Sequence, residues 1–562
     1  MINIYEIYKT HMIKFISFLI IITNCIFFTN TQAQTTLKHL NGNPIYANKL
    51  GTPLNHYWSE CVSAGRANEG LRASWLEQLN MVHKACGFKY VRFHGIFHDD
   101  MFVYTLNEDG TVNYNWQYID DVFDRLLAMG VKPFVEFSFF PKAMSPEATV
   151  FWWGAHGKPP ENYDAWKGLV DAFVKHCQQR YGNKEVQSWY FEVWNEPNLQ
   201  GFWKGTMQQY FELYKATATT IKKIDPLLRV GGPATSSYHP AEGVYDSLKN
   251  AIKNISAADF KDIQCEGPWI ADFLKFCEKE NLPVDFVSSH PYPTTYPFGD
   301  GGGQFEMSRP VNSLRMDLTW LNRTIKNSKF KNAEIHLTEW SSSPSNRDHT
   351  HDYLQAATYI VKANIESIGL ANSLSYWIFT DIEEEREASA SVFHGGWGLV
   401  NFQGIAKPAF HAYRFLNALG NLTLLNEDGF ILTKKTTNNF ISGIFYNYPS
   451  EVIEAAPISI GSRDKAEKTL NTGSPQKINL YLSGLKPGSK FEVEIVDKEN
   501  AFSLKSWQQM GSPEPPTREQ TIKLKELGLK TKKINLIADN KGQLKWKYSL
   551  GPWAIALLKQ IK

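Results

Sequence analysis

The sequence of 562 residues has no large excess of either charge, since 59 Lys and Arg stand against 57 Asp and Glu. A nucleic-acid-binding protein needs an excess of positive charge to meet phosphates, so this balance argues against that class. Hydrophobic residues make up 43% and charged residues 21%, which excludes a disordered or collagen-like chain. Cysteine is scarce, with six residues and no CxxC or Cys/His spacing that would hold a metal.

The N-terminal segment has the pattern of an export signal. A basic stretch ending at Lys14 precedes the apolar run 15–28, which is shorter than the about 20 apolar residues of a membrane-spanning helix. Small residues one and three positions before the cut predict a signal-peptidase site after Ala33. We therefore predict that residues 1–33 are a cleaved signal peptide and that the mature protein is secreted or periplasmic, with no membrane span. A retained anchor and a lipoprotein linked through Cys25 are the alternatives.

Export would permit disulfide bonds in the mature chain. Five cysteines remain after cleavage, and five cannot all pair within one chain. We therefore expect buried free thiols. These cysteines are Cys61, Cys86, Cys177, Cys265 and Cys277.

From about residue 50 to 415, short runs rich in β-branched and aromatic residues alternate with amphipathic segments. Neighbouring runs start roughly 40 to 60 residues apart, enough for a loop, a helix and a return. Two amphipathic segments have clear ends: Gly130 follows 120–129 as a C-cap, and Asp225-Pro226 follows 207–224. The predicted strands are Tyr90–His94, Lys132–Phe137, Trp189–Trp194, Leu228–Val230, Val284–Ser288, Glu334–Thr338 and Leu374–Phe379.

An eighth strand around Leu54–Trp58, first in order, completes the set. Eight strands alternating with helices predict an α/β fold, a (β/α)8 TIM barrel, in residues 34–415. An open doubly wound sheet is the alternative, but the dinucleotide glycine fingerprint is missing. The later pattern of short strands and turn residues predicts a β-sandwich accessory domain in residues 416–562. Its predicted strands are Ile431–Lys434, Phe440–Phe445, Lys477–Leu482, Lys490–Val496, Lys533–Ile537 and Trp553–Leu558.

Polar side chains follow several of the predicted barrel strands. In a TIM barrel, catalytic groups lie at the C-terminal ends of the strands. Glu196 and Glu339 end the fourth and seventh strands, and a carboxylate beside an apolar strand is costly to bury without a partner or a function. The other polar strand ends are Arg92–His94, Asn195, His290–Tyr292 and Asp381–Glu385.

Two carboxyl groups at one end of a barrel indicate glycoside hydrolysis. One carboxylic acid protonates the leaving oxygen, and the other attacks the anomeric carbon or activates water. The carboxyl group that lies beside an anion in a dry pocket keeps its proton, because two like charges disfavour joint ionisation. A structural ion pair would explain either glutamate alone, but explains less well a pair surrounded by His and Trp residues.

Both glutamates lie in distinctive sequence contexts, Phe191–Asn198 (FEVWNEPN) and Leu337–Trp340 (LTEW). These segments resemble the acid/base and nucleophile segments of barrel glycosidases that carry the two groups on strands four and seven. The wider resemblance is to glycoside hydrolase family 39, the β-xylosidase and α-L-iduronidase family, from about His56 to His411. Further similar segments are Tyr90–Gly95, Thr149–Trp153, Ser289–Pro293 and Ser375–Phe379.

The resemblance implies a retaining mechanism with Glu196 as general acid/base, Glu339 as nucleophile, and no metal or cofactor. Apart from the resemblance, Glu192 shares a strand face with Glu196, so we expect it to lie deeper in the barrel and to pair with Arg92. The resemblance also implies substrate-binding roles for Asn195 at the sugar 2-hydroxyl, His94, His290 and Tyr292 in the −1 subsite, Trp377 as the sugar platform, Phe202 beside the leaving group, and Glu384 and Glu385 at distal hydroxyls.

Other features of the sequence allow two interpretations. Glu383 departs from the family pattern, which has an apolar or aromatic residue there, and so leaves two registers for the acid pair. The loop 298–305 is expected to shape the substrate pocket. The run Arg347–Asp352 could hold a metal, although Ser and Asp before a helix more often cap it. Three tryptophans could form an outer sugar subsite or pack in the core: Trp152, Trp153 and Trp166.

The sequence therefore predicts an exported, retaining exo-glycosidase acting on plant-type oligosaccharides, and the family resemblance favours β-xylosidase. The expected partner is a carbohydrate substrate, and not a nucleic acid. Another activity of the family is the first alternative: α-L-iduronidase, β-glucosidase or release of arabinose. Iduronate would need a cation for its carboxylate, for which Lys204 and Arg347 are candidates. A non-catalytic carbohydrate-binding protein is the second alternative, and the sandwich itself could bind sugar.

Overall fold

The computed structural model describes residues 40–147, 149–241, 243–244, 247, 263–295, 307–386 and 388–561. The predicted signal peptide 1–33 and the loop 298–305 lie outside the described residues. Within the described ranges, no helix is both long and apolar enough to cross a bilayer.

Eight parallel strands close into a barrel, as the sequence predicts. The strands are Cys61–Arg66, Tyr90–His94, Lys132–Phe137, Tyr190–Val193, Arg229–Ser236, Phe286–His290, Glu334–Trp340 and Ser373–Tyr376. The described helices of this part are Ala73–Cys86, Gln117–Met129, Asp164–Tyr181, Asn183–Val186, Met207–Ile224, Ile270–Lys279, Ser313–Lys326, Leu354–Glu366 and Pro408–Ala418.

The first barrel strand is Cys61–Arg66, so the prediction of a strand at Leu54–Trp58 is wrong. Tyr57–Ser59 instead forms a buried 3-10 turn. The true strand reads CVSAGR, and its small residues produce no apolar run. At Gly65 the packing requires the absence of a side chain, because an added Cβ would lie 2.6 Å from both carboxyl oxygens of Glu69.

Local signals fix the helix ends that were predicted. Thr206 and Gln209 form a reciprocal capping box at the start of Met207–Ile224, which satisfies two backbone N–H groups that have no partner within the helix. Gly130 ends Gln117–Met129 in the left-handed conformation, with φ of 83°, which glycine adopts without a Cβ clash. Because these determinants lie next to each other in the chain, sequence reasoning could find them.

Among the described residues, four short antiparallel strand pairs lie in loops of the barrel part. They are Tyr104–Leu106 with Val112–Tyr114, Thr149–Val150 with Ala155–His156, His239–Pro240 with Cys265–Glu266, and Thr294–Thr295 with Met307–Ser308. The second pair follows the third barrel strand and contributes to the site described below.

The C-terminal part is a β-sandwich. Its seven-stranded sheet has the order Thr52–Pro53, Leu422–Glu427, Phe430–Lys434, Ile441–Tyr446, Ile555–Ile561, Lys490–Val496 and Lys532–Ile537. The three-stranded sheet has the order Asn41–Tyr46, Gln476–Ser483 and Leu544–Leu550. Apolar side chains from both sheets, among them Phe445 and Trp546, form one core. Its helices are Arg463–Leu470, Ser503–Gln509 and Arg518–Leu529.

The two N-terminal strands belong to the sheets of the sandwich, whereas the predicted domain division assigned everything from residue 34 to the barrel. Asn41–Tyr46 pairs in parallel with Gln476–Ser483, and Thr52–Pro53 pairs with Leu422–Glu427. The last barrel helix ends at Ala418, close to the predicted boundary. A strand pairing that spans more than 400 residues leaves no local signal in the sequence.

The five described cysteines are all buried and unpaired, as expected. Burial raises the pKa of the Cys61 thiol to about 12, so that thiol is a poor nucleophile.

Candidate active site

Arg92 organises the centre of the barrel. It is fully buried on the second strand, and its guanidinium donates from Nε to Glu192 Oε2 at 2.6 Å and from Nη1 to Glu339 Oε1 at 2.8 Å. Nη2 lies 2.7 Å from Glu136 Oε2 and donates to Asn195 Oδ1 at 2.9 Å. The carboxylates raise the pKa of Arg92 above its ordinary value, against the effect of burial. The expected pairing of Arg92 with Glu192 is thus present.

Glu339 presents a carboxylate whose two oxygens are both held. Oε1 accepts from Arg92, and Oε2 accepts from the Tyr292 hydroxyl at 3.0 Å. His94 Nε2 lies 3.5 Å from Oε1. The ladder to the eighth strand shifts register between Leu337 and Trp340. A bulge of this kind re-aims side chains at a strand end, and both Thr338 and Glu339 contact groups of the site.

Glu196 lies opposite, at the end of the fourth strand. Its backbone is left-handed, with φ of 45°, a costly conformation that persists only where the surroundings impose it. Its N–H donates to Ala234 O at 3.0 Å, which fixes this turn. The residue is 6% exposed, and desolvation raises the pKa of Glu196 to about 7. Glu196 therefore keeps its proton at a pH where an ordinary glutamate has lost it.

His290 contacts both carboxyl groups. Its Nδ1 lies 3.0 Å from Glu196 Oε1 and 3.7 Å from Glu339 Oε2. Burial lowers the pKa of His290 to about 4, so the imidazole is neutral. One carboxyl oxygen of Glu196 and one of Glu339 lie within 4.8 Å of each other and of a His290 ring nitrogen. Among the described residues, this is also the group whose spacing could suit a metal ion.

The remaining predicted residues of the −1 subsite border these carboxyl groups. His94 Nδ1 donates to the Glu136 carboxylate at Oε2, 2.6 Å away, and the His94 and Trp377 ring centroids lie 4.9 Å apart. Because Asn195 Oδ1 accepts from Arg92, its amide N–H groups are left to donate to a ligand. Phe202 is half-buried and packs on Phe151 at 5.3 Å.

The acidic run after the eighth strand alternates in direction. The Glu384 carboxylate is held by Arg66, at 3.0 Å from Nε, and by Arg72. Glu383 accepts from Asn346 Nδ2 and from the backbone N–H of Glu385, both at 2.9 Å. Burial, together with the negative charges of Glu383, Glu339 and Glu196, raises the pKa of Glu385 well above its ordinary value. Of the two predicted sugar ligands, Glu385 thus lies near Glu196 and Glu339, whereas two guanidinium groups already bind Glu384.

The three tryptophans weighed above have different environments. Trp166 is fully buried in the core. Trp153 stacks on Phe151 and carries the Arg66 guanidinium over its ring at 4.8 Å. Trp152 is 63% exposed, and its Nε1 donates to Glu384 O at 2.8 Å, across the barrel mouth. Only the environment of Trp152 agrees with an outer sugar subsite.

The run Arg347–Asp352 contains a capping residue, the commoner of the two interpretations. Asp348 Oδ1 accepts from the Thr350 N–H at 3.0 Å and caps a 3-10 turn. Asp352 Oδ1 lies 2.9 Å from the buried Lys407 ammonium.

Sequence reasoning missed three residues of the site. Glu136 is a buried glutamate inside an apolar strand, and the cost of burying a carboxylate is the signal that drew attention to Glu196 and Glu339. Thr338 precedes Glu339 and donates to Glu192, and nothing in its sequence context marks it. Trp397 packs on Trp377 at 5.9 Å, and its Nε1 donates to Ser343 O.

The comparisons with known proteins agree with this geometry. The sequence pattern of the glycosyl hydrolases family 39 matches residues 44–545. The chain belongs to glycosyl hydrolases family 39. It is therefore a glycoside hydrolase, and the resemblance and the enzyme class predicted from the sequence are both confirmed.

The similar proteins include two β-xylosidases and an α-L-iduronidase. A β-xylosidase from Caldicellulosiruptor saccharolyticus is 35% identical over 514 residues, 91% of this chain and 96% of that protein. The crystal structure of a monomeric β-xylosidase from Caulobacter crescentus has a TM-score of 0.77 at 30% identity, covering 92% of this chain and 98% of its own. The human α-L-iduronidase is 30% identical over 174 residues, which is 30% of this chain and 25% of that protein.

Proposed function

We propose that this glycosidase is an exported, retaining exo-β-xylosidase that removes terminal β-D-xylose from plant-type oligosaccharides. The observation that carries the proposal is the Glu196–Glu339 pair, a neutral acid and a guanidinium-bound carboxylate with oxygens within 4.8 Å. The 35% identity to a β-xylosidase over most of both chains supports the choice of xylose.

The pair performs a double displacement in this proposal. Glu196 protonates the leaving oxygen while a Glu339 oxygen attacks the anomeric carbon, which forms a glycosyl-enzyme. Arg92 and Tyr292 hold the nucleophile in place before the attack. Glu196, now ionised, then takes a proton from water, the water oxygen bonds to the anomeric carbon, and Glu339 departs.

The carboxyl spacing supports retention of configuration. Retaining enzymes hold the two groups about 5–5.5 Å apart, whereas inverting enzymes leave about 6.5–9.5 Å for a water molecule between them. One carboxyl oxygen of Glu196 and one of Glu339 lie within 4.8 Å of each other, which is closer to the retaining spacing than to the inverting one.

The charge of the pocket favours a neutral sugar over a uronic acid. Glu385 is a half-buried carboxyl beside Glu196 and Glu339, and desolvation raises its pKa well above the ordinary value. A substrate carboxylate would lie near the Glu339 carboxylate, which like-charge repulsion disfavours. Arg66 and Arg72 already bind Glu384. Of the two candidate cations, Lys204 is exposed, and Arg347 is half-buried, donates to Asn346 O at 2.8 Å and lies near the Glu383 carboxyl. The iduronidase alternative therefore has less support than a pentose.

Exo-action is supported by the barrel mouth. The Trp152 indole extends from the loop after the third strand to the backbone of Glu384 after the eighth. A bridge of this kind narrows an open cleft on one side. Truncating it should increase cleavage at internal linkages, measured by the products released from xylohexaose.

A glycoside panel tests the function. We expect the wild type to release nitrophenol from the β-xyloside faster than from the β-glucoside, α-arabinosides or α-L-iduronide. Glu339→Ala should abolish release, because the nucleophile is gone. Glu196→Ala should still form the glycosyl-enzyme from this good leaving group and be accelerated by azide. Wild-type silence on the whole panel would contradict the proposed function, and faster iduronide cleavage would select the alternative.

Export is tested separately, by secretion from a native-type host. We expect the mature N-terminus to be Gln34, measured by N-terminal sequencing of the secreted protein. Retention of residues 1–33 on a membrane-associated protein would contradict cleavage.

A further inference from the structure

A chain of three hydrogen bonds lies behind the acid Glu196. Thr338 Oγ1 donates to Glu192 Oε1 at 2.7 Å. Thr338 Oγ1 also lies 3.0 Å from His290 Nε2. His290 Nδ1 in turn lies 3.0 Å from Glu196 Oε1. Glu192, Thr338 and His290 are all fully buried, so no solvent competes for these bonds.

The direction of the bonds follows from the number of protons available. Glu192 is bound through its other oxygen to Arg92 Nε at 2.6 Å and offers Thr338 an acceptor. A threonine hydroxyl has a single proton, and it is used at Glu192. The hydroxyl oxygen can then only accept from His290, which requires the proton of the neutral imidazole to be on Nε2.

This tautomer determines what Glu196 faces. With the proton on Nε2, Nδ1 carries a lone pair. A hydrogen bond between two acceptors needs a proton, and Glu196 supplies it from its carboxyl group. Once that proton has gone to the leaving oxygen, the Nδ1 lone pair opposes the Glu196 carboxylate. The opposition makes Glu196 a stronger base when it takes a proton from water.

We propose that Thr338 is a positioning residue that holds His290 in its Nε2–H tautomer and thereby keeps the acid proton on Glu196. The inference rests on the proposed glycosidase mechanism and deepens it, since it assigns the control of the acid to a residue that touches no substrate. The Thr338 hydroxyl, which is two hydrogen bonds away from Glu196, then affects catalysis only by fixing which nitrogen of His290 carries the proton.

Several charged or titratable groups surround Glu196, and Thr338 bonds to none of them except His290. Their effects on Glu196 remain when only the Thr338 hydroxyl is removed. These groups come from the second, third, sixth, seventh and eighth strands or the loops that follow them: Arg92, His94, Glu136, His290, Tyr292, Glu339 and Glu385.

The test compares Thr338→Val with Thr338→Ser. Valine keeps the branched shape but has no hydroxyl, so His290 can move its proton to Nδ1 and donate to the Glu196 carboxylate. A hydrogen bond to the charged form lowers a carboxyl pKa. For xylobiose, whose leaving group needs the acid, we expect the basic limb of kcat/KM to move down by about one pH unit, roughly a tenfold loss near pH 8. Serine should keep the wild-type limb.

Dinitrophenyl β-xyloside provides the control, because its leaving group departs without the acid. Thr338→Val should keep more than about a third of the wild-type rate on it, as expected for an effect on general acid catalysis. A limb that does not move in Thr338→Val, or that moves equally in Thr338→Ser, would overturn the proposal. A wild type inactive on both substrates would instead refute the proposed function.

A second measurement needs no variant at position 338. In ¹⁵N-histidine spectra of the wild type, the signals lost in His290→Gln identify that ring. We expect a protonated Nε2 and an unprotonated Nδ1 at pH values near neutrality. A protonated Nδ1 would overturn the proposal even if Thr338→Val fails to fold.

Discussion

The environment of Glu196 predicts where activity falls at high pH. Desolvation raises the pKa of Glu196 from 4.5 to about 7. At pH 7 about half of this carboxyl is then protonated, against roughly 0.3% for a glutamate with its ordinary pKa. The environment therefore increases the fraction of active acid about 150-fold at that pH. Glycosylation, which needs the proton, should decline only above about pH 7.

Initial rates on xylobiose between about pH 4 and pH 9 measure this limb. We expect kcat/KM to fall about tenfold per pH unit beyond an apparent pKa near 7. Dinitrophenyl β-xyloside should show a much weaker limb, and Glu196→Ala should lose the limb on that substrate while remaining active. A limb below about pH 5.5, or one that persists in Glu196→Ala, would refute the assignment of the acid.

Three further predictions concern stability and substrate length. Arg92→Met should destabilise the protein by about 3–5 kcal/mol, because buried carboxylates lose their partner. The control Arg125→Met, at an exposed pair with Asp121, should leave the thermal midpoint unchanged. Equal thermal midpoints for the two variants would contradict the central role of Arg92. Glu196→Gln should stabilise the protein above pH 7 by up to about 3 kcal/mol. The raised pKa means that the protonated Glu196 carboxyl makes its full contribution to stability below about pH 4.5, and that this contribution is lost as pH rises through 7. A difference in thermal midpoint that does not change with pH would oppose this. Trp152→Ala should raise KM for xylotriose about three- to tenfold and leave that for nitrophenyl xyloside unchanged; equal changes in both would remove the outer subsite.

The barrel could be predicted wherever its strands carry β-branched or aromatic runs. Seven strands overlap their predicted positions, and Met207–Ile224 matches at both ends because its caps are adjacent in sequence. The first strand was missed because its sequence, CVSAGR, has small residues and no apolar run, and packing against Glu69 leaves room only for glycine at position 65. The strands Asn41–Tyr46 and Thr52–Pro53 escaped because their partners are more than 350 residues away.

The site divides in the same way. Glu196 and Glu339 could be predicted because each follows a recognisable strand and costs too much to bury without a reason. The proton chain through Thr338 could not, because it depends on which side chains meet across strands four, six and seven. The direction of the Glu384 side chain could not be predicted either, because it depends on the backbone after strand eight. Arg66, at the end of the first strand, and Arg72 hold the Glu384 carboxylate away from Glu196 and Glu339.

In the proposed mechanism, Glu339 attacks the sugar and becomes covalently bound to it. A 2-deoxy-2-fluoro-β-xyloside with a good leaving group should form a long-lived glycosyl-enzyme, because the fluorine slows the second step. Peptide mass spectrometry should then locate one added fluoroxylosyl group at Glu339, within the tryptic peptide 332–347. A label on another residue, or no label together with release of xylose in inverted configuration, would contradict the role of Glu339 as nucleophile.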